Sequence, residues 1–358
     1  MNHHQKIKVA LVSGFWAQNI GNAFFNIGGK WVLEQVFGEG NVQFIQDAPA
    51  YRTFYPKHKG NPCNWANLLK DLDVEYLALQ GPLLTTTISN IWGETLDEHK
   101  RRGVKLILLG CALFKYTPEE IESARAFLKK YQPAIVSTRD SRTYEIIKDI
   151  VPVIYDGIDS AFFVPKAFKP LSFTGQPYIT FNFDRYPEPN IYIDTAKEAF
   201  ESNFKHFDQD WFLHTPKIQN FFSYRGKSLA YFGHLIDRRK LPSELCDHRI
   251  IRPEHRYVPH MTHKIYQHPN SIVSDEVFTY LSVYANTKFT LADRVHACVM
   301  TLAYGNPAML FTPSPRQALF ERLDLTNIRN KPVLLDPQRL EDEQNMEVDF
   351  LRNAIRSQ

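Results

Sequence analysis

Thr290-Leu291-Ala292-Asp293-Arg294-Val295-His296-Ala297-Cys298-Val299-Met300-Thr301-Leu302-Ala303-Tyr304-Gly305-Asn306-Pro307-Ala308 is the stretch on which the fold turns. A short strand-like run feeds a polar turn, Asp293-Arg294-Val295-His296. The turn opens an apolar helix that Gly305 ends, and a second strand resumes after Pro307. A strand, a turn, a helix and a strand make a βαβ unit, whose strands run parallel and whose ligands sit beyond the carboxyl ends of those strands. Arg294 and His296 flank the helix N-terminus. Free N–H groups and the helix dipole favour an anion there, and an imidazole can exchange a proton with it. A lone histidine in such a place is usually structural, but an Arg-x-His pair at the mouth of a cleft points to chemistry.

The same alternation extends outward in both directions. Strand-like runs at 7–12, 42–45, 76–79, 105–109, 134–136 and 153–154 are interleaved with helical patterns at 23–37, 91–102, 118–130 and 142–147. Their apolar runs lack strict alternation, as expected of strands covered on both faces in a parallel sheet. Thr117 followed by Pro118, Glu119 and Glu120 predicts a helix start, with Thr117 as N-cap. Around 164–177 the pattern breaks into Pro165, Pro170, Gly175 and Pro177, which reads as a linker. Beyond it come a strand at 178–183, a helix at 191–204, a strand at 228–232, a helix at 277–285 and the βαβ unit above. The expectation is an α/β protein of two doubly wound Rossmann-like domains facing a cleft, residues 1–170 and 171–358. The C-terminal region 335–358, with its acidic run in 340–350, reads as a helix or as a surface tail.

Composition narrows the class. The chain has 358 residues, 44% hydrophobic and 23% charged, which suits about two globular domains with full cores. A formal net charge of +3 gives no basis for nucleic-acid binding and leaves an anionic small substrate open. Cys63, Cys111, Cys246 and Cys298 show no paired spacing, so a reducing compartment is expected. No apolar run approaches the roughly 20 residues of a membrane span, and the start has no signal-peptide pattern, which points to the cytoplasm with at most peripheral membrane association.

Three further segments could carry chemistry. Ser13-Gly14 leads through Asn19-Ile20-Gly21-Asn22 into a helix, a glycine-bearing turn suited to an anion or acceptor; the bland alternative is a βα turn with Asn22 as N-cap. It matches neither a Walker loop nor the dinucleotide fingerprint. Ser137-Thr138-Arg139-Asp140-Ser141 follows a buried strand, so Arg139 would emerge at the carboxyl edge of the first sheet. There an Arg139–Asp140 pair could hold a carboxylate or phosphate, unless Asp140 or Ser141 simply caps the next helix. Asp156-Gly157-Ile158-Asp159 closes the first domain, its acids readable as turn formers. The histidines from His248 to His268 lack any metal-ligand spacing and read as a polar surface segment, so no metal is expected. Arg238, Arg239, Lys240, Arg249, Arg252 and Arg256 could steer anions, or be a solvated face. Phe221-Phe222-Ser223-Tyr224-Arg225 could stack on a sugar, or pack in a core.

Taken in order, Asn19-Ile20-Gly21-Asn22, Ser137 to Ser141, Asp156 with Ala161-Phe162, Ala292 to Ala297 and Gly305-Asn306-Pro307-Ala308 resemble the polysaccharide pyruvyl transferase family, over roughly residues 7–325. The resemblance implies a GT-B-like fold, with the acceptor on the N-terminal domain, the donor on the C-terminal one and the C-terminal helix returning across the two. It implies transfer of the pyruvyl group of phosphoenolpyruvate to a sugar, oligosaccharide or lipid-linked saccharide as a ketal, in cell-envelope or exopolysaccharide synthesis. Arg139, Arg294 and Arg316 would bind the donor and His296 with Arg294 would be catalytic. Gly14, Asn19, Gly21 and Asn22 would form the acceptor or anion loop, with no cofactor beyond the donor substrate. Asn22 stands where the family commonly has Asp, so one acceptor-facing carboxylate is missing. Arg316, after Pro313-Ser314-Pro315, stands where the family often has Lys and keeps the cation. Two other readings stay open: a glycosyltransferase using a nucleotide-sugar, and a non-catalytic carbohydrate-binding homologue.

Overall fold

The first sheet runs in the order β2-β1-β3-β4-β5-β6, all parallel. Its strands are β1 (Val9–Ser13), β2 (Val42–Gln46), β3 (Tyr76–Gln80), β4 (Lys105–Cys111), β5 (Ile135–Thr138) and β6 (Ile154–Asp156). The computed structural model describes residues 8–14, 16, 19–47, 67–183, 188, 191–194, 199–202, 240–245, 247–255, 268–311 and 315–358. Val9, Leu11, Leu77, Leu79, Leu108 and Leu109 are buried, because helices cover both faces of the sheet. These helices are α1 (Gly21–Phe37), α2 (Ile88–Arg101), α3 (Pro118–Tyr131) and α4 (Ser141–Ile147). Chain order reverses between β1 and β3, which opens a crevice beyond their carboxyl ends.

Thr117 caps α3 as expected, its side chain accepting from Glu120 N with Pro118 at the first turn. Asp140 caps α4, accepting from Thr143 N at 2.7 Å. Asn22 does not cap α1. Ile20 holds the N-cap position without a side-chain bond, and Asn22 Oδ1 instead accepts from Asn19 Nδ2 at 3.0 Å.

A short helix α5 (Val164–Ala167) leads through an irregular stretch to the second sheet, ordered β10-β11-β7-β13-β14 with β12 beside β11. Its strands are β7 (Tyr178–Asn182), β10 (Glu244–Leu245), β11 (His248–Pro253), β12 (Ser271–Ile272), β13 (Thr290–Ala292) and β14 (Ala308–Leu310). All pairings are parallel except β10 with β11. Helices α6 (Val277–Asn286) and α7 (Val295–Ala303) pack on it, followed by α8 (Ala318–Glu321) and α9 (Pro337–Arg356). Two parallel α/β sheets whose carboxyl ends face each other form a GT-B-like fold.

Two expectations need correction here. In place of a helix over 191–204 the chain forms an antiparallel pair, β8 (Ile191–Asp194) with β9 (Ala199–Ser202). Helical spacing of apolar residues over a short window does not exclude a strand, and Ile191, Tyr192, Ile193 and Phe200 are residues that strands favour. The described part of the His248 to His268 stretch, residues 248–255, is not a polar surface either: β11 is an inner strand and Arg252 is 2% exposed. Its guanidinium is tolerated because Glu188 takes it bidentately at 2.7 and 2.8 Å and the Pro242 and Pro269 carbonyls accept the rest. The expected strand at 228–232, the aromatic run at Phe221, and Arg238, Arg239, Arg256, His260, His263, Cys63 and Cys246 lie outside the described residues.

One apolar cluster joins the halves. Phe24, Phe25, Ile158, Phe162 and Phe163 pack with Tyr280, Tyr284, Val295, Met300 and Leu302, and with Val348 and Leu351 of α9. Each such side chain contributes about 1.5–3 kcal/mol on burial, so the two sheets are held together by their own hydrophobic core. Glycines permit the closest approaches: a Cβ on Gly28 would lie 1.9 Å from the Ser160 carbonyl oxygen, and one on Gly29 would lie 1.5 Å from Gln80 Nε2.

Candidate active site

The turn after β13 and the turn after β6 meet between the sheets. Arg294 is the N-cap residue of α7, with extended φ and ψ, and His296 stands in the first turn. Both are 7% exposed, and Asp293 is 4% exposed. The extended Arg294 backbone carries the chain from the edge of β13 into the helix and turns the imidazole toward the first sheet.

There His296 Nε2 lies 3.5 Å from Asp159 Oδ2. The same oxygen accepts Arg139 Nη1 at 3.0 Å, while Asp159 Oδ1 accepts the Ala161 N–H at 3.0 Å. Arg139 and Asp159 are each 1% exposed. Burial alone would raise the Asp159 carboxyl, but His296 and Arg139 beside it hold it well below the usual carboxylate range. Burial pushes the His296 imidazole down. Asp159 opposes that, and the nearby Arg139 and Arg316 guanidinium groups add to it. The resting site therefore holds a neutral imidazole next to an ionised carboxylate, among cations.

The Asn19–Asn22 turn presses on the other side of the ring. A Cβ on Gly21 would lie 3.0 Å from His296 Nδ1 and 3.2 Å from its Cβ, so glycine is what lets α1 begin against the imidazole. Phe25 flanks the ring at 5.5 Å between centroids. The turn is braced by Asn26, fully buried, whose Oδ1 accepts Gly14 N and Trp16 Nε1 and whose Nδ2 donates to Gln80 Oε1 at 2.8 Å. The Ile20 N–H donates to the His255 carbonyl at 2.9 Å. The N-terminus of α1 is thus tied to the carboxyl end of β11.

Arg316 lies in a single 3₁₀ turn, Pro315–Gln317, with its guanidinium 5.4 Å from the centroid of the Phe114 ring. It is close enough to the site to depress the His296 pKa. Of the residues singled out from the sequence, Arg139, Arg294, His296, Gly21 and Asn19 are drawn together, with Arg316 near enough to act on the imidazole. Gly14 and Asn22 stand one layer behind, where a Cβ on Gly14 would lie 3.0 Å from Asn22 Nδ2. The ion-pair partner of Arg139 is Asp159 and not its neighbour Asp140, which is occupied by Thr143 N and the Tyr116 hydroxyl. Arg139 Nε and Nη2 have no hydrogen-bond acceptor among the described residues, so the N–H donors of two nitrogens of a buried cation remain for an anion.

Asp159 was readable only as a turn former. Its importance comes from pairing across 137 positions of chain with His296, which no local signal encodes. Asp156 stands outside the cluster; it accepts Ser141 Oγ at 2.7 Å and lies 3.9 Å from Arg322. The arrangement can seat a multiply charged anion between guanidinium groups and offer it an imidazole. Among the described residues no group of His, Cys, Asp and Glu is arranged to hold a metal ion, and no helix is long and apolar enough to cross a membrane.

A family model described as polysaccharide pyruvyl transferase matches residues 19–315. Among curated proteins no match was found. Solved structures with similar chain paths include UDP-GlcNAc 2-epimerase from Neisseria meningitidis, 12% identical, covering 97% of this chain and 94% of that one with a TM-score of 0.46. The UDP-N-acetylglucosamine 2-epimerase from Rickettsia bellii is 13% identical, covering 98% and 95% with a TM-score of 0.45. That of Methanocaldococcus jannaschii is 10% identical, covering 98% of each with a TM-score of 0.46.

Proposed function

The chain belongs to the polysaccharide pyruvyl transferase family, and from that premise we propose that it moves the pyruvyl group of phosphoenolpyruvate onto a sugar of a cell-surface polysaccharide or its precursor, as a pyruvate ketal. The observation that carries this reading is His296 seated between Asp159 and the Gly21 turn, with Arg139 and Arg316 acting on the same imidazole. Phosphoenolpyruvate presents a carboxylate and a phosphate, which call for guanidinium forks; Arg294, Arg139 Nε and Nη2, and Arg316 supply them.

The residues then act as follows. Burial and, less strongly, Arg139 and Arg316 depress the His296 pKa; a bound anion offsets the two cations, which favours the protonated imidazole when the donor arrives. Asp159 holds the resulting imidazolium. His296 gives that proton to C3 of the enol, which makes C2 an oxocarbenium-like centre. A sugar hydroxyl adds to C2 and its proton returns to His296. The C2–O bond to phosphate breaks, and phosphate leaves with the electron pair. A second hydroxyl of the same sugar closes the ketal, its proton departing with the phosphate. The acceptor is a saccharide, free or lipid-linked, approaching from the Asn19–Asn22 turn; with Asn22 in place of Asp, hydroxyl recognition there relies on amides. The buried free thiols of Cys111 and Cys298 suit a reducing, cytoplasmic setting.

A thermal-shift comparison of wild type and Arg294→Ala with phosphoenolpyruvate, UDP, GDP and CMP tests this reading. Ligand at about 100 times its Kd adds roughly 2.7 kcal/mol, a rise of several degrees. Stabilisation by phosphoenolpyruvate, lost in the variant, supports it. Stabilisation by a nucleotide alone overturns it in favour of a nucleotide-sugar donor.

A further inference from the structure

Helix α9 carries an inner face that ordinary packing does not explain. Leu340, Val348, Leu351 and Ala354 bury as an amphipathic helix should, but Glu343, Gln344 and Glu347 are buried on the same side, at 2%, 3% and 1% exposure. Burying polar groups is costly unless each is satisfied. Gln344 Nε2 donates to the Phe162 carbonyl at 2.8 Å, and Glu343 takes Arg322 at 2.8 Å and Arg339 at 3.1 Å. Glu347 Oε2 accepts the Ile158 N–H at 3.0 Å, and its Oε1 accepts the Ser137 hydroxyl. Gly157 leaves room for it, since a Cβ there would lie 2.7 Å from Oε2.

Those two bonds fall on either side of the candidate site. Ser137 is two residues before Arg139, at the carboxyl end of β5, and Ile158 immediately precedes Asp159. We propose that Glu347 is a positioning residue: its carboxylate fastens the end of β5 to the turn after β6, and so sets the Arg139–Asp159 pair on which His296 rests. The inference rests on the pyruvyl-transfer reading for its functional consequence and on the contacts of α9 for its geometry.

A carboxylate can accept from both donors at once and more strongly than a neutral group. Burial pushes the Glu347 carboxyl up to about 7; the hydrogen bonds from Ser137 and Ile158 oppose this, Glu343 adds to it, and Arg322 opposes it. The Tyr155 hydroxyl also faces it. The grip on the site is therefore full above neutrality and weakens as Glu347 takes up a proton. Keeping an ionised group buried costs stability, which is reasonable where it positions a site.

Glu347→Gln and Ser137→Ala, compared with wild type from pH 6 to 8.5, test the proposal. Hydrogen exchange would be followed at 157–160, and phosphoenolpyruvate binding by the ligand-induced rise in Tm. At pH 8 Glu347→Gln should melt no lower than wild type, exchange the Ile158 amide about tenfold faster and bind phosphoenolpyruvate about tenfold more weakly. At pH 6, where wild-type Glu347 is largely protonated, the difference should shrink, and Ser137→Ala should show a smaller change of the same sign. Exchange and binding that match wild type at every pH would overturn the proposal. If phosphoenolpyruvate stabilises no protein, the pyruvyl-transfer reading fails, while the exchange comparison still decides whether Glu347 holds the turn.

Discussion

His296 and Asp159 stand 3.5 Å apart, Nε2 to Oδ2, and the oxygen that faces the imidazole is the one that receives Arg139 at 3.0 Å. One carboxylate oxygen thus links the turn of the second sheet to the end of β5 in the first. The three groups are almost wholly buried, so each depends on the others for its charge state. Neutral histidine, ionised aspartate and arginine sum to zero, so the positive charge that would draw an anion here comes from the Arg316 guanidinium acting on the same imidazole.

Asp159→Asn should destabilise the protein by about 3–5 kcal/mol, because it leaves Arg139 buried without an anion. The Asp159 carboxyl is held below its unfolded value of 3.8. Its contribution is therefore fully present above that value and is lost only as pH falls through the lower, folded one. Urea denaturation at pH 7 and 8 should show the same deficit at both. A deficit that disappears at pH 8 would contradict the assignment.

His296→Ala should lower phosphate release from phosphoenolpyruvate in the presence of acceptor by about 10²–10⁴-fold while leaving the Tm nearly unchanged. Undiminished turnover by the purified variant would remove His296 from the chemistry.

Arg294→Ala should weaken phosphoenolpyruvate binding by about 10–100-fold, the worth of one charge-assisted contact of roughly 1.5–3 kcal/mol. Calorimetric titration checks this. Unchanged affinity with lost turnover would move Arg294 from ground-state binding to the transition state.

Gly21→Ala separates stability from function. Alanine in a helix is favoured over glycine by roughly 0.5–1 kcal/mol, but its methyl group would meet His296 Nδ1 at 3.0 Å and push the ring away from the turn. Equal or higher Tm with turnover at least about tenfold lower is expected. Full activity would show that the ring has room to move.

Glu347 has a folded pKa of about 7 against an unfolded value of 4.5. The folded state therefore holds a proton that the unfolded chain has lost, and stability falls as pH rises from about 4.5 to about 7. Glu347→Gln removes that dependence, so its Tm should exceed that of wild type by several degrees at pH 8 and approach it near pH 5. Parallel curves across this range would refute the raised pKa.

The alternation of apolar runs with helical patterns was enough to read the first sheet and the unit Thr290 to Ala308, because a doubly covered strand and a capped helix each leave a local signature. Thr117 and Pro118 announced the start of α3 in the same way. Where the signature was weak, tertiary context decided. The 191–204 segment paired with itself as β8 and β9, and β11 entered the second sheet despite Arg249 and Arg252, because Glu188 and two carbonyls receive the buried guanidinium of Arg252. Glu347 had a readable trace, an acidic residue on the apolar stripe of a helix, though nothing local shows what it accepts.

By itself, then, the sequence determined the class of fold and the unit that bears Arg294 and His296, since periodicity and caps are properties of neighbours in the chain. Only the tertiary structure decided that Arg139 answers to Asp159 and not to Asp140, that Gly21 must be glycine for the sake of His296, and that α9 grips the turn before Asp159. Those relations lie between residues 20 to 275 positions apart, and they arise from the packing of two sheets carboxyl end to carboxyl end, which brings together groups that no local pattern relates.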